Sequence, residues 1–272
     1  MAGYTLGASN FVPGYALVNH TSNAFIFVSI QYRLGAYGFL YSDEIAAEGG
    51  ANAGLLDQRL AIHWVKRHAS SFGGDPAKIT IYGGSAGGGS VTSQMIMYGG
   101  VENPPFRAAM AEYPWWQPYL RKEQLLRQYG YLLNETACGN LECLRALDAG
   151  RLANASQAIY IRAYAEKAYA YGSFYFGPYV DGKVIRDLPS REFKAGHFTK
   201  VPLLTDREGY EGYGFSNQSI TTFSQEIDDL RTLYPYADQD FIEKLYQLYP
   251  ATDFNSSFFR RQTIFGYGSF LL

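Results

Sequence analysis

Residues 78–91 read KITIYGGSAGGGSV, which sets five glycines around Ser85 between two different patterns. The run ITIY (79–82) has the β-branched and aromatic residues of a buried strand, and a helix-compatible run begins just after Ser85. A glycine-rich turn from strand to helix can cradle a phosphate, pack the helix closely on a sheet, or seat a nucleophile. A Walker loop carries Lys and then Ser or Thr after its last glycine, whereas Gly89 is followed by Ser90 and Val91. The dinucleotide spacing G-x-G-x-x-G is not met from any glycine of the stretch. Beside a plain tight turn there remains Gly83-Gly84-Ser85-Ala86-Gly87, a G-x-S-x-G elbow. In such an elbow the serine sits in a strained turn. Small residues two positions either side then keep clear of sheet and helix, and the hydroxyl projects beyond the carboxyl end of the strand. The Ala86 N–H becomes a donor for the oxyanion of a tetrahedral intermediate.

The surrounding pattern supports an α/β fold with a largely parallel sheet. AFIFVSI (24–30) is a continuous apolar run, as a strand buried on both faces requires. From Asn52 a helical spacing continues to the stop Ser-Ser-Phe-Gly-Gly, and RAAMAE (107–112) reads as a third strand. KEQLLRQYGYLL, residues 154–170 and residues 241–249 read as helices. GPYVDGKVI has the look of a hairpin around Asp181-Gly182, and VPLLTDRE (201–208) that of a further strand. No repeat or linker divides the chain, so residues 1–272 read as one α/β domain with a helical insertion at about 115–175.

Composition narrows the partners. A net charge of −2 gives no reason to expect nucleic acid or an anionic membrane, and no stretch approaches the roughly 18 unbroken apolar residues of a membrane span. The 24 tyrosines and 18 phenylalanines suit pocket walls and a robust extracellular surface, without deciding between them. Cys138 and Cys143 enclose the short loop CGNLEC; a disulfide there contributes about 2 kcal/mol on the chain-entropy view, and two reduced thiols are the alternative. Sequons stand at Asn19, Asn134, Asn154, Asn217 and Asn255, which together with the paired cysteines point to a secreted glycoprotein. The start MAGYTLGASNFVPGY lacks the basic and apolar regions of a signal peptide.

The runs SIQYRLGAYGFL (29–40) and NAGLLDQRLAIHWVKRHASSFGGDPAKITIYGGSAGGGSV (52–91) resemble the type-B carboxylesterase/lipase family, which includes cholinesterases and fungal lipases. TACGNLECLRAL is similar to that family's small disulfide loop. GPYVDGKVIRDLPSREFKAGHFTKVPLL is similar to the segment leading to its acidic triad member. The resemblance implies an α/β-hydrolase fold, a carboxylic ester hydrolase acting through an acyl-enzyme, a small-molecule or lipid ester as substrate, and no metal or organic cofactor. It implies that Ser85 is the nucleophile, Glu211 the acid (with Glu208 as runner-up), and Cys138–Cys143 the disulfide. The oxyanion hole would be formed by Ala86 with Gly3 and Ala2, which match the end of a Gly-Gly-Gly-aromatic loop whose first glycine is matched by Met1. Those amides would lie in a frayed terminus. Gly84 stands where the family often has Glu. Trp115 and Trp116 could line an acyl pocket, with core packing as the equal alternative.

Ser and Glu need an imidazole between them. In the family's order it follows the acid, yet the four histidines, His20, His63, His68 and His197, all precede Glu211. Their places relative to the expected strands and helix put none beside Ser85. The resemblance thus implies a partial sequence, truncated at both ends, lacking a mid-sheet strand and the base. The expected consequences are an inactive fragment and an unstable monomer. A non-catalytic cholinesterase-like binding or adhesion domain is the alternative.

Overall fold

The computed structural model describes residues 3–11, 13–209 and 211–268. Helix α1 (Ala53–His68) leads through a one-turn 3-10 segment to strand β1 (Thr80–Gly84), then α2 (Ala86–Ile96) and β2 (Ala108–Glu112). Helices α3 (Lys122–Thr136) and α4 (Ala149–Ala165), with the short Leu141–Ala146 between them, separate β2 from β3 (Leu203–Thr205). Helices α5 (Phe223–Leu233) and α6 (Ser257–Gly268) follow, with Gln239–Leu248 between them. The strands form one parallel sheet in the order β1-β2-β3, with Gly84 opposite Glu112 and Ala111 opposite Thr205. Parallel pairing requires crossovers, and α2 supplies the first, packed on both β1 and β2.

The three-glycine run lets α2 approach closely. A Cβ at Gly88 would lie 2.6 Å from the Glu112 carbonyl oxygen, and one at Gly89 2.1 Å from that of Trp115. The contact of α2 with α1 is polar but satisfied: Arg59 donates to Gln94 Oε1 at 2.7 Å and to its carbonyl at 2.6 Å, and Gln58 to Ser90 Oγ at 3.0 Å. Both α1 and α2 reach further into the core through Leu55, Ile62, Val91 and Met95.

Asn52 starts α1 in the left-handed conformation, φ 52°, which Asn tolerates better than most residues. Its side chain is fully paired: Nδ2 donates to the Tyr179 carbonyl and to Asp181 Oδ2, while Oδ1 accepts from the Tyr179 N–H. Asn52→Ala would orphan both backbone groups of a buried residue. The expected cost is about 2 kcal/mol, measured as a lowered urea midpoint with an unchanged slope. A loss below about 0.5 kcal/mol would mean that water replaces the amide at little cost.

Several expectations need correction. Residues 24–30 form no strand: Phe25, Ile26 and Val28 are exposed, and no described segment offers them a ladder. An apolar run becomes a buried strand only if a partner satisfies its backbone; without one it lies irregularly on the surface. For the same reason β1 is an edge strand with only Ile81 buried, and Tyr82 is 44% exposed. Around Asp181-Gly182 there is a turn but no strand ladder: the Asp181 and Gly182 N–H groups donate to the Ile185 carbonyl, while the Asp181 carboxylate accepts from the N–H groups of Lys183, Val184 and Ile185. The expected frayed start is also absent at Gly3 and Tyr4, which are buried, and the Tyr4 carbonyl accepts from the Gly35 N–H at 2.8 Å. Cys138 and Cys143 are joined by a disulfide.

Leu60, Trp64 and Phe72 of α1 and its 3-10 extension are exposed, as are Leu203 and Leu204 of β3. Exposed apolar groups beside an unpaired strand edge favour association. In sedimentation velocity at micromolar concentration the chain is expected to run as dimers and larger species, shifting toward monomer in the Leu60→Lys/Trp64→Lys variant. A single monomeric boundary for the unaltered chain would contradict this.

Candidate active site

Ser85 joins β1 to α2 with φ 56° and ψ −124°, a conformation a non-glycine residue adopts only when its surroundings impose it. Three backbone hydrogen bonds do so. Its N–H donates to the Glu112 carbonyl at 3.1 Å, and its carbonyl accepts from the N–H groups of Gly89 at 2.9 Å and Trp115 at 3.0 Å. The residue is half-buried, and its hydroxyl bonds to no described residue. Ala86, fully buried, is the first residue of α2, where amides have no intrahelical acceptor and the positive end of the helix dipole lies.

The glycines of the elbow are not equivalent. A Cβ at Gly83 would stand 2.6 Å from the Gly87 carbonyl carbon and oxygen, whereas one at Gly87 meets nothing within 4 Å. A Cβ at Gly84 would stand 2.6 Å from the Tyr113 hydroxyl, so the Tyr113 ring occupies the space beside the residue preceding Ser85. No sequence signal marks Tyr113 for that place. Tyr82 donates to Glu112 Oε2 at 2.7 Å; burial first and then that carboxylate push its phenol up to about 12.

Gly3 reaches the same neighbourhood from the start of the chain. Its φ is 54°, and a Cβ there would lie 2.2 Å from the Phe174 ring. Phe174 meets Trp115 edge-on at 5.3 Å between centroids, and the Tyr4 ring lies 6.1 Å from that of Trp115. Since the Trp115 N–H binds the Ser85 carbonyl, the Gly3 turn and the elbow share one aromatic wall. Phe174 escaped the sequence reading because its partner is some 170 positions away. Ala2 and Met1 lie outside the described residues. Trp116 packs elsewhere: its indole N–H donates to Thr92 Oγ1 at 2.7 Å and its ring stacks on Phe193.

The acidic loop follows β3, so it leaves the same carboxyl edge of the sheet as Ser85, with β2 between them. The Tyr113 N–H donates to Asp206 Oδ1 at 2.9 Å, tying this loop to the end of β2. Glu211 is half-buried, and its Oε1 accepts from the Glu208 N–H at 2.8 Å. The histidines lie apart from this edge in their contacts. His68 packs against Trp64 with the rings tilted by 37°, His197 Nδ1 lies 3.1 Å from an Arg186 nitrogen, and His20 and His63 are exposed. Among the described residues no group of three or more His, Cys, Asp or Glu is placed to hold a metal ion.

The carboxylesterase family profile matches residues 2–268. The chain belongs to the carboxylesterase family. Among curated carboxylesterases and lipases it is 37% identical over 220 residues to the carboxylesterase patB of Penicillium expansum, covering 77% of this chain and 37% of that protein. It is 33% identical over 267 residues to the secreted triacylglycerol lipase LIP1 of Gibberella zeae, covering 92% of this chain and 45% of that protein. Its fold matches the crystal structure of Aspergillus niger EstA with a TM-score of 0.86 at 28% identity, over 98% of this chain and 52% of that one. The chain therefore spans about half or less of the carboxylesterases and lipases it matches, and it has the α/β-hydrolase fold. No helix among the described residues is long and apolar enough to cross a membrane.

Proposed function

We propose that this chain carries the nucleophile, acid and oxyanion donors of a secreted carboxylic ester hydrolase that works through an acyl-enzyme, and that the 272 residues alone lack its base. The observation carrying this reading is the forced conformation of Ser85 between β1 and α2, with a half-buried hydroxyl that bonds to no described residue and the first amide of α2 next in the chain. Ser85 attacks the ester carbonyl, and the Ala86 and Gly3 amides, with that of Ala2, stabilise the tetrahedral oxyanion. An imidazole takes the serine proton and returns it to the leaving alcohol, and water then releases the acid. Glu211 orients that imidazole, exchanging the Glu208 amide for it. The substrate class is a small-molecule or lipid ester, in keeping with esterases and a secreted lipase among the relatives. The aromatic wall of Trp115, Phe174 and Tyr4 suits an apolar acyl group.

Supplying the base from solution tests this. With p-nitrophenyl butyrate and about 0.2 M imidazole, mass spectrometry of the chain is expected to show a butyryl group on Ser85, absent without imidazole and absent in Ser85→Ala. No adduct on Ser85 in a folded chain would favour instead a non-catalytic cholinesterase-like binding domain.

A further inference from the structure

Away from the elbow, α3, the end of α4 and the end of α5 enclose a cleft of about 390 Å³. That is room for on the order of ten water molecules, more than a bare inorganic ion needs. Three cations line it: Arg127 on α3, Lys167 just after α4, and Arg231 in the last turn of α5. Arg127 and Arg231 form no hydrogen bond or ion pair with a described residue, and Lys167 stands 3.9 Å from the exposed Asp228. The acid facing them, Glu166, is already engaged, accepting from the Tyr131 hydroxyl at 2.5 Å and from Arg162 at 2.8 Å.

Tyr175 adds an independent observation. It is 3% exposed and lines the cleft, its ring fixed among Tyr160, Tyr169 and Phe176. Its carbonyl is bound by Gln128, but its hydroxyl has no partner among the described residues and is not sealed from the cleft. Burial chiefly, then Tyr131 and Glu166, push this phenol well above its ordinary range, so the hydroxyl keeps its proton as a donor. A phenol donor that opens on the cleft without a protein acceptor, two exposed guanidinium groups without a described partner and an ammonium form a set whose complement is a group of oxygen acceptors with negative charge.

We propose that the cleft between α3, α4 and α5 binds an oxyanion, carboxylate or phosphate, carried on a small apolar or aromatic body. Arg127 and Arg231 grip the charge, the Tyr175 hydroxyl donates to it, and the Tyr131 and Tyr175 rings with Leu120 and Pro235 bound the space for the body. The catalytic reading of Ser85 is not needed for this.

Calorimetric titration of the full chain with benzoate, phenyl phosphate and inorganic phosphate tests the assignment. Saturable binding of benzoate or phenyl phosphate is expected, weakened at least tenfold in Arg127→Gln/Arg231→Gln and about threefold in Tyr175→Phe. Preference for benzoate assigns the charge to a carboxylate, and preference for phenyl phosphate assigns it to a phosphate. Inorganic phosphate binding as tightly as phenyl phosphate would overturn the apolar body. No saturation by any probe, or unchanged affinity in the folded Tyr175→Phe and Arg231→Gln variants, would overturn the site. The single Arg231→Gln change lies at a helix end and keeps the test decisive if the double variant fails to give a native circular dichroism spectrum.

Discussion

Without added imidazole, the 272-residue chain is expected to release p-nitrophenol from p-nitrophenyl butyrate no faster than its Ser85→Ala variant. On the proposed reading the elbow, the Ala86 amide and the Gly3 turn would supply position and electrostatic help, but none of them would remove the proton from Ser85. His197 is occupied with Arg186, His68 with Trp64, and no described group bonds to the Ser85 hydroxyl. In a serine protease, loss of the triad histidine costs on the order of 10⁶ in turnover and leaves a residual that no longer depends on the serine. Equal rates are therefore expected over an initial-rate assay with enzyme in the micromolar range. A rate falling a hundredfold on Ser85→Ala would show that one of the four histidines, or another group, reaches Ser85 in solution, and the assignment of a missing base would then be wrong.

What was legible in the sequence was local. The elbow could be read because its demands fall within seven residues: a strand before it, a helix after it, small residues in the turn. The α1 boundaries were legible for the same reason, between Asn52 and the glycines at 73 and 74. The state of a strand is not local. AFIFVSI has every property of a buried strand, but hydrogen bonds to a neighbour decide whether it becomes one, and no described neighbour exists. The Asp181-Gly182 turn was visible, but the capture of three following amides by the Asp181 carboxylate was not, since it draws the Ile185 N–H away from the backbone carbonyl a hairpin would give it. The site shows the same division. The proposals for Ser85 and Ala86 rest on the elbow motif and that for Glu211 on the family resemblance, whereas Phe174 behind Gly3 and Tyr113 over Gly84 depend on contacts between distant segments that no short pattern encodes.

Gly83→Ala is expected to destabilise the chain by about 3 kcal/mol, while Gly87→Ala is expected to change stability by less than about 0.5 kcal/mol. The motif treats the two glycines as a matched pair, but the structure does not. The Gly83 Cα faces the Gly87 backbone, and the 2.6 Å approach of an added Cβ cannot be relieved by a side-chain rotation because carbonyl carbon and oxygen are what it meets. Either β1 or the start of α2 must move. Both are held by the Ser85 bonds to Glu112, Gly89 and Trp115, so the displacement spreads into the strained turn. At Gly87 the added methyl points into open space, and a helical alanine costs less backbone entropy than glycine. Followed by near-ultraviolet circular dichroism, the first variant should melt on the order of 10 °C lower and the second within about 2 °C of the unaltered chain. Equal losses at both positions would show that the start of α2 packs more tightly than this geometry allows. Stability kept in Gly87→Ala, together with loss of imidazole-supported acylation of Ser85, would mean that the open space beside Gly87 belongs to the ester, and that this glycine is kept small for the substrate rather than for the fold.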